Sequence, residues 1–373
     1  MDNRPDYENL RSETKFKWHV SSAYYVFWGL VDIPIEEVNE NPDAMIELIK
    51  RGRPLFREMW GDEIPMPGIS TPAISYGHLN GLGADLIFPK GGEVNYTVIC
   101  DSIDEGIDIL KRPVDYATAG MAPFYLDYRR QLQEAFPGEN VGFSYSVQGP
   151  MTTAYCLRGD GFFYDVYDEP ERTKEFMDLV VDSVLDFKYF VSDLNGQPHM
   201  SASHKLYDDV GSMLSYDMWP EFVLPYYERY FQGLTTGRRG AHIEDLRPEQ
   251  LHFLEDMGLS DYDPGISHKV NPATIREKCR VPFGWRMGSF HYWGLTVQEV
   301  EDWVFQAVAD GASYVFSQVS QVMCEDATIE KVQAFRRAAI EVERMIASGA
   351  TREEIGEQVS DAGRKRFWAH WPE

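Results

Sequence analysis

His242 and Glu244 stand two apart in Gly240-Ala241-His242-Ile243-Glu244. A strand sends residues two apart to the same face, so this imidazole and carboxylate can reach one ion. Both are zinc ligands, and Cys324 supplies a third if the fold returns that cysteine to the same rim. The alternative is a solvated strand end carrying an ordinary His-x-Glu. Two further acids, Asp208 and Asp209, directly follow a short apolar-polar stretch. They read either as the cap of the next helix or as groups on an active rim. An aromatic cluster at Tyr24, Tyr25, Phe27 and Trp28 packs on the body of the protein or walls a substrate pocket.

The elements that must position these groups alternate. Val141 to Val147 reads as a strand, followed by Gln148-Gly149-Pro150 and a helix from Met151. Pro170 opens a long amphipathic helix to Leu194. Further strands are predicted at His199 to His204, Arg238 to Glu244, Leu259 to Asp263, Val281 to Trp285 and Ala312 to Val319. Helices are predicted between them, one opened by the capping box Thr296-x-x-Glu299. Thr328 to Ile346 is a final long helix, and Thr351-x-x-Glu354 caps a short one after it. Gly77 to Gly83 has glycines at G-x-x-x-G-x-G, which fits neither nucleotide loop and reads as a turn. Strand and helix in regular alternation demand parallel strands, and the length suits a closed α/β barrel, (β/α)8. The expected organisation is one domain over 1–373, with residues 1–70 as an aromatic-rich N-terminal extension packed on the barrel. In such a fold functional groups sit just past the strands' C-terminal ends, where Asp208, Asp209, His242, Glu244, Asp263, Arg286 and the Gln318 to Cys324 stretch all fall.

Charge narrows the partners. Sixty acidic against 35 basic residues give a net charge of −25. That field repels phosphate backbones and anionic lipid, so neither nucleic acid nor membrane is an expected partner. A content of 43% hydrophobic and 14% aromatic residues is far from disordered. The cysteines at 100, 156, 279 and 324 form no C-x-x-C pair, and the polar start predicts a cytoplasmic protein with reduced thiols.

Several blocks carry a resemblance. Gly149-Pro150-Met151-Thr152-Thr153-Ala154, Leu157-Arg158-Gly159, Asp208-Asp209, and Leu214 to Tyr226 with its Pro225-Tyr226 resemble the uroporphyrinogen decarboxylase superfamily, over about residues 70 to 345. The resemblance implies a TIM barrel. Decarboxylases of that family carry an N-terminal arginine-rich block that binds the substrate's carboxylates, whereas this chain has Lys17-Trp18-His19-Val20-Ser21-Ser22-Ala23-Tyr24-Tyr25. The other branch, the corrinoid-dependent methyltransferases, binds zinc through His-x-Cys and a later Cys. His242 matches the first ligand, Glu244 replaces the first cysteine, and Cys324 lies near the second.

The resemblance therefore implies a zinc-dependent O-demethylase component, passing a methyl group from an aromatic methyl ether to a partner corrinoid protein. Cobalamin belongs on that partner, since no Asp-x-His-x-x-Gly stretch occurs in this chain. A His/Glu/Cys set is a harder donor set than His/Cys/Cys and suits an ether oxygen. Asp209 is expected to orient a ligand or move a proton, alongside His242 and Glu244. Trp285, Arg286 and His291, with Tyr24 and Trp28, are expected to hold the substrate. The readings kept beside this one are a decarboxylase, a thiol-methylating corrinoid enzyme, and a non-catalytic binding protein.

Overall fold

The computed structural model of the chain describes residues 4–368. It divides into two compact units. The first takes the chain up to Asp32, Arg51–Pro67 and everything from Gly240 on; the second takes Ile33–Lys50 and Gly68–Arg239. Eight strands run through them: β1 (Lys17–Ser22), β2 (Ile69–Ser70), β3 (Val141–Gly142), β4 (Ser201–Tyr207), β5 (Thr235–His242), β6 (Leu259–Asp263), β7 (Gly284–Met287) and β8 (Tyr314–Val319). A short antiparallel hairpin, Leu86–Ile87 with Asn95–Tyr96, stands apart from them.

In the first unit β1 lies parallel to β8, and β8 parallel to β7. A parallel bridge from Phe283 to Tyr262 continues the row to β6, and Ile243 N donates to Asp263 O at the end of β5. Strand alternation then divides the side chains. Val20, Val315, Ser317, Trp285, Met287, Tyr262 and Ala241 are buried. Helix Asp326–Ala347 covers β1, and helix Val297–Ala309 covers β8. Those helices contribute Val300, Trp303, Val304, Phe335 and Val342 to the same core, each buried aliphatic side chain being worth about 1.5–3 kcal/mol. The alternate positions, His19, Phe316, Arg286, Asp261 and His242, keep partial or full solvent access. The predicted capping box is present: Glu299 N donates to Thr296 Oγ1 at 3.3 Å and Thr296 N to Glu299 Oε2 at 2.7 Å.

In the second unit β2 pairs parallel with β3, and a parallel bridge joins Ile74 to Tyr145. Gly149 N donates to Tyr207 O at the end of β4, which lies beside β5. Helix Pro170–Leu194 buries Phe176, Val180, Val184 and Phe187.

Several local readings need correction. The cluster at residues 24–28 follows the first strand instead of preceding it, because Lys17–Ser22 already pairs along its whole length with β8. Gly77–Gly81 is a helical turn, with the turn proper only at Leu82 and Gly83. The helix predicted between the strands ending at Glu244 and starting at Leu259 is two short pieces, Pro248–Gln250 and Phe253–Asp256. Among the described residues no helix is long and apolar enough to cross a membrane.

Candidate active site

At the C-terminal ends of β5 and β6, His242 is the last residue of its strand and Asp263 the last of the next. Asp263 Oδ2 lies 3.1 Å from His242 Nδ1. Its other oxygen accepts from Gly265 N at 3.0 Å, so the turn after β6 fixes the carboxylate that fixes the imidazole. Nδ1 therefore carries the hydrogen towards Asp263, an assignment made from the partner. Nε2 is left on the opposite edge, 3.5 Å from Glu244 Oε1.

Glu244 is held by a close approach. Gly265 has φ +61°, and a Cβ there would fall 2.0 Å from Glu244 Oε1, so only glycine lets the turn come this near. Ile266 N also points at that oxygen, at 3.4 Å. The neighbouring Asp245 takes the left-handed conformation (φ 60°) and faces Lys269 Nζ at 3.6 Å. Side-chain exposure falls from Glu244 (37%) through His242 (17%) to Asp263 (9%), the order in which a ligand arriving from solvent would meet them. An imidazole with a buried orienting carboxylate on one nitrogen and a half-exposed carboxylate facing the other is a proton donor or acceptor in waiting.

Cys324 is elsewhere engaged. Its Sγ faces Val26 O at 3.7 Å and Ser320 O at 3.9 Å, and a Cβ on Gly29 would come within 2.7 Å of it. Burial pushes the thiol up to about 11. Among the described residues no three or more His, Cys, Asp and Glu side chains are grouped to hold a metal ion. The structure thus brings His242 and Glu244 together, adds Asp263, and does not gather Cys324 with them as it stands.

The expected substrate residues scatter by face. Trp285 is buried on the helix side of β7 and meets Trp368 edge-on at 5.5 Å. His291 accepts from Gly288 N at 3.0 Å through Nδ1, and burial lowers it to about 4. Tyr24 and Trp28 pack with Tyr25 in a ring cluster, centroids 4.5 to 5.7 Å apart. Arg286 is the exception. It lies on the open face, in register with Phe316, which is in register with His19; the last two rings stack at 5.2 Å. Its Nε is buried without a hydrogen-bond partner among the described residues.

In the second unit the two adjacent acids part company. Asp209 is exposed, at the start of the short turn Val210–Met213. Asp208 is fully buried and accepts from Met151 N (2.7 Å), Thr152 N (2.8 Å) and Thr152 Oγ1 (2.7 Å) at the start of helix Pro150–Arg158. Burial pushes it up to about 7 against the pull of those three bonds.

Sequence reasoning placed Asp263 at a strand end without giving it a role; its spacing from His242 carries no signal for the pairing. His19 and Phe316 were not singled out, although alternation within their strands puts both on the polar face.

A cavity of 610 Å³ in the first unit lies at the other ends of the strands, beside Phe16 and Ser313. Its Arg11 donates to Arg276 O and Cys279 O, and its Arg352 to Val308 O, carbonyls at helix C-termini and a structural use.

Against known proteins, the profile of Uroporphyrinogen decarboxylase (URO-D) matches residues 71–342. No curated protein matches the chain. Among solved structures, a methyltransferase from Methanosarcina mazei superposes with a TM-score of 0.62 at 15% identity, covering 90% of this chain and 97% of that one.

Proposed function

Since the chain belongs to the uroporphyrinogen decarboxylase family, whose fold is a TIM barrel, we propose that it is a methyltransferase taking a methyl group from an aromatic methyl ether to the cob(I)amide of a partner corrinoid protein. The observation that carries the reading is the Asp263–His242–Glu244 arrangement at the strand ends. The likeness in fold to a methyltransferase supports the reaction class.

The chemistry needs a proton. When the methyl group leaves an aryl ether for a cobalt nucleophile, the electron pair of the broken C–O bond stays on oxygen. That oxygen then requires a proton, or a Lewis acid, to leave. His242 Nε2 is placed to give the proton, since Asp263 holds Nδ1, and Glu244 favours the charged imidazole until it does. Such a positioned acid contributes roughly 10²–10⁴-fold in rate. A zinc ion on His242, Glu244 and Cys324 does not fit the donor set as it stands: the half-buried thiol is turned to Val26 O and held in its protonated form.

Arg286 supplies the complement for a ring carboxylate or phenolate, with Phe316 and His19 as a stacking surface beside it. Decarboxylation of a highly carboxylated porphyrinogen is disfavoured by the same strand ends, where Glu244, Asp245, Asp261 and Asp263 outnumber that arginine.

The test is anaerobic incubation with cob(I)alamin and a panel of methoxyarenes. The visible spectrum is expected to become that of methylcobalamin with at least one donor. Absence of that change with every ether, together with methylation of a thiol from methylcobalamin, would move the assignment to the thiol-methylating reaction.

A further inference from the structure

The second unit has a cavity of its own. A cavity of 410 Å³ opens beside Gln197, Pro198 and His199, just before β4 begins, and Lys188 of helix Pro170–Leu194 lines it. His204 of β4 lines it as well, four residues before Asp208, so about 13 Å of strand separates the two.

Lys188 has no carboxylate partner among the described residues. Its Nζ lies over the Tyr230 ring, 5.5 Å from the centroid. A ring quadrupole compensates only a small part of the cost of taking an ammonium out of water. The groups facing it from neighbouring elements bring no negative charge. His204 of β4 shares a hydrogen bond with Tyr230 Oη at 3.0 Å and is lowered to about 4, by burial first and by Lys188 second. His78 bonds Ser183 Oγ at 2.8 Å and is lowered to about 3 for the same two reasons, so both imidazoles are neutral at pH 7. Tyr145 adds a phenol already committed to Asn80. At the mouth His199 is paired with Asp193 at 2.8 Å. Phe143, Phe187, Val191 and Leu234 complete an apolar wall.

We propose that this cavity is a carbonyl-binding site in which the Lys188 amine captures a small aldehyde or ketone with an apolar body as an imine. The unprotonated Nζ adds its lone pair to the carbonyl carbon, and the oxygen takes up a proton to give a carbinolamine. Loss of water then forms the C=N bond, the water carrying away the carbonyl oxygen and both amine hydrogens. No oxidant or reductant is involved. The neutral surroundings favour the amine form that this addition needs. Burial lowers Lys188 to about 8. Against a lysine's ordinary 10.5, that raises the unprotonated fraction at pH 7 by about 300-fold.

The test uses the whole chain, benzaldehyde and cyanoborohydride at pH 7, with adducts located by peptide mass spectrometry. Lys188 is expected to take the benzyl group about tenfold or more faster than any surface lysine, with a rate that climbs through a midpoint near 8 as pH rises. Lys188→Arg keeps the charge and is expected to lose that adduct while melting like the parent. Labelling spread over the surface lysines in the unmodified chain overturns the proposal, whatever the variant does. Protection of Lys188 by benzoate with no adduct from benzaldehyde also overturns it, in favour of simple anion pairing.

Discussion

Asp263 and Asp208 invite comparison because both sit at the C-terminal end of a strand and both are buried, at 7% and 0% exposure. Asp263 spends one oxygen on its own turn and the other on an imidazole whose far nitrogen faces Glu244. Asp208 spends both oxygens on the first turn of helix Pro150–Arg158, where unsatisfied N–H groups and the helix dipole draw a carboxylate. Position at a strand exit is therefore not the functional mark. What decides is whether the group opposite the acid is a helix start, which consumes it, or a side chain that can move a proton.

The sharpest way to break that distinction is to remove each end of the His242 pair. His242→Ala is expected to reduce methyl transfer to cob(I)alamin by about 10³-fold with thermal unfolding little changed, the loss a positioned proton donor carries. Retained turnover would move the acid elsewhere. Asp263→Asn is expected to cost about 10²-fold, since the amide can present its NH2 to Nδ1 and reverse the tautomer.

Asp208→Ala should behave in the opposite way. It leaves two backbone N–H groups and a hydroxyl without their acceptor, at about 1–3 kcal/mol for a buried group. A loss of about 3 kcal/mol of stability is expected, read by denaturant unfolding, with turnover per folded molecule unchanged. A change in kcat without a change in stability would put Asp208 beside Asp263 in function.

Acid pH sharpens the contrast more gently. Burial holds His78 at about 3 in the folded chain, against about 6.5 when unfolded. Below pH 6.5 the unfolded state binds the extra proton, so stability falls as pH drops from there towards 3, by up to about 1.4 kcal/mol per pH unit. His78→Gln should flatten that limb in a melting series at pH 7, 6 and 5. An unchanged slope would assign the acid sensitivity to other groups.

Much of this arrangement was legible in the chain. Leu259 to Asp263 has the same boundaries in sequence and structure because Gly258 ends the helix before it, and both capping boxes form as written. Lys17–Ser22 was passed over because its polar face is nearly as populated as its apolar one, so it looks like a strand only once β8 lies beside it. The Glu244 approach depends on Gly265 in a later turn, a contact that no local pattern announces. Choosing between Asp208 and Asp209 required knowing which side of β4 faces helix Pro150–Arg158. One residue of phase separates a buried acid from an exposed one.

The smallest expected effect concerns Cys324. A thiol held near 11 is about one part in 10⁴ thiolate at pH 7, and a zinc ligand must be the thiolate. To join His242 and Glu244 it would also have to leave Val26 O. Cys324→Ser, which preserves a hydrogen bond of similar reach, is therefore expected to change stability by about 1 kcal/mol or less and turnover by less than about twofold. Metal analysis makes the measurement decisive. If the purified parent carries one zinc per chain and the serine variant loses it along with activity, Cys324 must swing onto the His242 edge. The ether oxygen would then be activated by the metal, and His242 would be a ligand instead of the acid.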